Sequence, residues 1–76
     1  MPLIQITVIQ GALSEDKKNE MMARVSEVVA EIEARPYPKE KLLPHVLCII
    51  EEVPPAKWAV GGQPLSLEGL RALLSR

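Results

Sequence analysis

Residues 1–11, MPLIQITVIQG, decide how the rest of the chain is read. From Leu3 to Gln10 the side chains alternate with period two, Ile4, Ile6 and Val8 on one side and Leu3, Gln5, Thr7 and Ile9 on the other. That alternation predicts a β-strand. A proline stands at its head, the one strand position where a missing N–H costs no ladder hydrogen bond. Gly11 stops the strand, and Ser14 followed by Glu15 and Asp16 offers a helix N-cap with acidic residues where the helix dipole favours them. Met21, Met22, Val25, Val28, Val29 and Ile32 then recur at helical spacing, and the stripe ends at Arg35-Pro36.

RPYPKEKLLP, residues 35–44, holds three of the seven prolines and reads as an irregular connection. HVLCIIEE, residues 45–52, predicts a second strand, with Val46, Cys48 and Ile50 facing one way and His45, Leu47, Ile49 and Glu51 the other. Strand, long helix and strand at this spacing make a βαβ unit with parallel strands and a right-handed crossover. The helix covers one face of that sheet. The other face, carrying Leu3, Ile9, Leu47 and Ile49, has nothing left in the chain to cover it. VPPAKWAVGGQP, residues 53–64, supplies a turn and a short hairpin-like strand closed by Gly61-Gly62. Ser66 then caps a last helix with Leu67, Leu70, Leu73 and Leu74 along one side, expected to lie on a neighbouring subunit. The fold class is α+β, and residues 1–76 form a single domain.

A chain of 76 residues buries too little of its own surface to be secure alone. Cys48 is the only cysteine, so no intrachain disulfide forms, and a reducing, cytoplasmic setting is expected. The start has no signal-peptide pattern, and no apolar run is long enough to cross a bilayer. A net charge of −1 without a basic stripe, and Tyr37 and Trp58 as the only aromatics, argue against a nucleic-acid partner. An aliphatic chain this short reads as one piece of an assembly.

The residues that could carry chemistry are picked out by their types and faces. A small second residue permits removal of Met1, after which Pro2 is a free secondary amine and hence a base. His45 and Cys48 lie three apart on a strand, point to opposite faces and cannot chelate one metal ion. Glu51 shares the His45 face, where a carboxylate can activate water.

A proline behind Met1, an immediate strand, a glycine, a long amphipathic helix, a second strand, and Trp58 directly before AVGG (59–62) together resemble the 4-oxalocrotonate tautomerase family, over Pro2 to Gly62. The resemblance implies that Pro2 is a general base, its pKa lowered by an apolar pocket that disfavours the charged amine. It places Trp58 where the family has a phenylalanine in that pocket. It implies a hexamer acting on a small enolisable carbonyl compound such as a 2-oxo acid, without cofactor or metal. Two family arginines are absent: Ala12 and Leu13 occupy the place of one, and Leu47 that of the other. His45, beside Leu47, and Arg71, in the last helix, are the remaining candidates for contact with a substrate carboxylate. The missing arginines keep two other readings open. One is a non-catalytic subunit of a heterohexamer, and the other is a small-molecule binding or structural module that retains the fold. The connection before the second strand is several residues longer than in short family members.

Overall fold

The computed structural model, described over residues 1–75, runs β1 (Leu3–Ile9), α1 (Glu15–Ala34), β2 (Leu47–Val53), β3 (Ala59–Val60), β4 (Gln63–Pro64) and α2 (Leu67–Leu74). β1 and β2 pair in parallel from Leu3 opposite Leu47 to Ile9 opposite Val53. The pairing continues past both ends: the Leu47 N–H donates to the Pro2 carbonyl at 3.0 Å, and the Gln10 N–H to the Val53 carbonyl at 2.8 Å. α1 is the crossover. Ser14 caps it as expected, its hydroxyl accepting from the Lys17 N–H at 3.2 Å, and the chain leaves the helix at Arg35, the residue before Pro36.

The helix lays Met22, Val25 and Val29 half-buried and Ala30 fully buried over the Ile4, Ile6 and Val8 face of the sheet. Val28 and Ile32, expected in the same stripe, are exposed. Val28 lies about 100° round the helix from Val29, which turns it towards the flank. Lys18 occupies a place in the covered row instead and is 8% exposed. Its ammonium reaches Glu15 Oε1 at 2.7 Å and Glu52 Oε1 at 3.2 Å, tying the first turn of α1 to the end of β2.

Two further expectations change. Ile9 is only 8% exposed, because α2 folds back on its own chain. Leu70 and Trp58 border the same hollow as Ile9, and Leu67 Cδ1 comes within 3.2 Å of where a Cβ on Gly11 would stand. Leu73 and Leu74 remain exposed. His45 belongs to no strand: Leu43–His45 form a 3-10 turn in which His45 and Val46 donate to the carbonyls of Leu42 and Leu43. These i to i+3 bonds hold the segment before it can extend, and β2 begins at Leu47.

β3 and β4 form the expected antiparallel hairpin, with Gly61 at φ +60° and Gly62 at φ +81° in the turn. Ser66 caps α2, accepting from the Gly69 N–H at 2.9 Å. Among the described residues no helix is long and apolar enough to cross a membrane.

Leu3, Leu47 and Ile49 stay 53%, 52% and 49% exposed on the face opposite α1. Each leaves about 1 kcal/mol of burial unrealised. The radius of gyration is 15.7 Å, against about 11 Å for a compact domain of this length. The chain is a folded piece with an unfinished core.

Two outcomes are expected. Gly11 sits at φ +86°, so Gly11→Ala adds both a left-handed penalty and a tight contact with Leu67. It should lower stability by about 1–2 kcal/mol, read as a shifted denaturation midpoint with an unchanged slope at fixed protein concentration. The Lys18 pKa is raised above its ordinary 10.5, chiefly by the hydrogen bond to Glu15 and against the opposing effect of burial, with Glu52 adding to the rise. Around neutral pH and up to 10.5 Lys18 therefore stabilises the fold, and that contribution disappears as pH rises through its raised pKa. Lys18→Gln should be less stable than the parent at neutral pH, and alkaline melting curves should bring the two together.

Candidate active site

Pro2 enters β1 at its first position, half-buried behind an exposed Met1. Its carbonyl belongs to the ladder through Leu47, while its nitrogen has no hydrogen to give and stands outside the ladder. Leu47 stands opposite Leu3, the residue after Pro2, and the uncovered face of Leu3, Leu47 and Ile49 begins there. The connection from α1 also ends at this point. His45 sits exposed in the turn two residues before Leu47, off the strand face it was expected to share.

Trp58 lies at the opposite end. Its indole N–H donates to the Val53 carbonyl at 3.0 Å, and its own carbonyl accepts from the Leu65 N–H at 3.0 Å. It forms part of an open hollow of about 270 Å³ with Thr7, Val8, Ile9, Ala12, Leu13 and Leu70. β1 is seven residues long, so Pro2 and this hollow are separated by about 20 Å of strand at about 3.3 Å per residue. Arg71 is exposed on α2, on the Trp58 side of the molecule. One chain thus brings Pro2 and Leu47 together and holds Trp58, Ala12, Leu13 and Arg71 apart from them.

A second hollow, of about 530 Å³ and not expected from the residue pattern, lies at the end of α1. Glu33, Arg35, Tyr37, Lys41 and Leu42 border it. Its signal was the interleaving of Arg35, Tyr37, Lys39 and Lys41 with prolines in the long connection. Among the described residues no group of three or more His, Cys, Asp and Glu is placed to hold a metal.

The family described as Tautomerase enzyme matches residues 2–68, and the chain belongs to that family. A probable tautomerase of Ralstonia nicotianae is 41% identical over 66 residues, 87% of this chain and 84% of that protein. A heterohexameric 4-oxalocrotonate tautomerase of Chloroflexus aurantiacus J-10-fl is 38% identical and superposes with a TM-score of 0.68, covering 84% of this chain and 92% of that one. The structure of apo unfused 4-OT superposes with a TM-score of 0.70 at 26% identity, over 84% and 93% of the two chains. The parallel β-α-β unit, hairpin and C-terminal helix are those of the tautomerase fold.

Trp58→Phe should keep the ring against Ile9 and Leu70 but lose the bond to Val53. The Val53 carbonyl also accepts from Gln10, so it is not left unpaired. The expected loss is about 0.5–1 kcal/mol, measured by denaturant titration, with Trp58→Ala costing more through lost packing.

Proposed function

We propose that the chain is a subunit of a tautomerase whose general base is the amine of Pro2, freed by removal of Met1. The observation that carries this reading is that the family match begins at Pro2, the residue that heads β1. With Met1 attached, the Pro2 nitrogen is an amide without a basic lone pair. Once free, its lone pair takes the proton of an enol hydroxyl, and the resulting ammonium returns a proton to the neighbouring carbon, leaving the ketone and the neutral amine. An apolar site disfavours the charged form of this nitrogen and brings its pKa towards neutrality, and the exposed Leu3 and Leu47 at the same strand ends support such a site in the assembly. The substrate is a small enolisable carbonyl compound such as a 2-oxo acid.

A site holding both Pro2 and Trp58 is built from more than one chain, since a single chain keeps them at opposite ends of the sheet. The uncovered Leu3, Leu47 and Ile49 face and the large radius of gyration support the same reading. Both β1 and β2 leave an edge free for pairing, and six copies arranged as dimers around a common centre cover these surfaces.

A second reading has a specific observation behind it. The Chloroflexus relative is a heterohexamer at 38% identity, and this chain carries Ala12, Leu13 and Leu47 where the resemblance expects arginines. Under that reading the chain is a non-catalytic subunit and a different chain supplies the chemistry.

Protein whose mass shows Met1 removed should ketonise phenylenolpyruvate, with a pH–rate limb lying below the pKa of an ordinary secondary amine. Protein retaining Met1 should be slower by at least about 100-fold, the span of general-base catalysis. Equal activity of the two forms refutes Pro2 as the base. Light scattering on the purified chain should give a mass near six subunits; a monodisperse monomer that gains activity only with a second chain would establish the heterohexamer instead.

A further inference from the structure

Two hollows along α1 are bordered by charged side chains: Lys17, Glu20 and Arg24 at one of about 310 Å³, and Glu33, Arg35 and Lys41 at the one where the helix ends. The hollow of about 270 Å³ at Trp58 is different, because no charged side chain lines it. β1 contributes Thr7 and Ile9, the turn after Gly11 contributes Ala12 and Leu13, and Leu70 of α2 closes the side. Its walls are also fixed. The indole N–H of Trp58 is spent on the Val53 carbonyl at 3.0 Å, so the ring offers the hollow its apolar surface and no donor. The Trp58 main chain is held on both sides, donating to the Pro55 carbonyl at 3.1 Å and accepting from the Leu65 N–H at 3.0 Å.

The polar side chain in the lining is Thr7, whose hydroxyl makes no hydrogen bond among the described residues. The charges nearby stand outside the lining. Glu51 is opposite Thr7 in the ladder, while Lys57 and Arg71 adjoin Trp58 and Leu70 in the chain. Glu52 is engaged by Lys18. An ion entering the hollow would exchange water for aliphatic and aromatic walls with no counter-ion among them, which is costly for either sign of charge. A cavity of about 150 Å³ accommodates a benzene-sized ring, so this hollow has room for one ring and a small substituent.

We propose that the hollow binds a small uncharged ring or branched alkyl group, with Trp58 and Leu70 as its walls and the Thr7 hydroxyl as its hydrogen-bonding contact. Apolar walls with one placed polar group are the usual make-up of a small-molecule site. Ala12 and Leu13 set the preference, since they line the hollow at the place where the resemblance expects an arginine. The site lies at the other end of the strand from Pro2, and it holds whether or not Pro2 is the base. For any substrate that reaches Trp58, the part seated there is uncharged.

Trp58 is the only tryptophan, so its emission reports on this hollow alone. The purified protein in its own oligomeric state is titrated with cyclohexanol, cyclohexanecarboxylate and cyclohexylammonium at equal ionic strength, with calorimetry as the second readout. Cyclohexanol should give a saturable change and bind at least about tenfold more tightly than either ion. Ala12→Leu, which fills the hollow, should weaken cyclohexanol binding by at least about tenfold. Thr7→Val should weaken it by about threefold to tenfold, as expected for one hydrogen bond. Ala12→Arg should bring cyclohexanecarboxylate level with cyclohexanol or ahead of it. Each variant is checked for unchanged oligomeric mass and unfolding midpoint, and Thr7→Val and Ala12→Arg carry the test if Ala12→Leu does not fold. No saturable change in the parent overturns the site, as does an ion binding as tightly as cyclohexanol, or binding that none of the three variants alters. Selective cyclohexanol binding by a protein without tautomerase activity removes the Pro2 chemistry and upholds the hollow; activity without such binding does the reverse.

Discussion

Parallel pairing of Leu3–Ile9 with Leu47–Val53 is the constraint on which the rest of the structure depends. Two parallel strands cannot be joined by a tight turn, so the chain spends α1 and the long connection on the return. One helix covers one sheet face. Beyond β2 the described residues form a short turn, a hairpin of two short strands and a short helix, enough to close over Ile9 but not over Leu3, Leu47 and Ile49. A two-stranded sheet is marginal in water by itself. Both the half-exposed aliphatic face and the free strand edges are therefore consequences of a parallel pair in so short a chain.

The same pairing separates the molecule into two chemically different ends. Parallel strands share a direction, so both N-terminal ends lie together with Pro2, and both C-terminal ends lie together with Trp58 and Gly11. At the second end the charges are largely spent on the fold, where Lys18 joins α1 to β2 through Glu15 and Glu52. Beyond α1 the return path to the first end carries Arg35, Lys39 and Lys41, and Arg35 pairs with Glu31 of the helix at 3.7 Å.

Much of this was legible in the residues themselves. The alternation in Leu3–Ile9, the Ser14 and Ser66 caps and the Gly61-Gly62 turn are all local signals, because each reports a backbone geometry set within a few residues. The place of Pro2 at the head of a strand was legible for the same reason. Tertiary structure decided what covers what. Val28 and Lys18 could exchange roles because helical spacing defines a stripe only to within a neighbouring row, and the carboxylate of Glu52, distant in sequence, makes the covered place of Lys18 tolerable. Ile9 is buried and Leu3 is not because α2 reaches only one end of the sheet. His45 left the strand because turn hydrogen bonds to Leu42 and Leu43 captured it. That Pro2 and Trp58 stand at opposite ends depends on strand direction and on one indole bond to Val53, and neither is written in residue spacing.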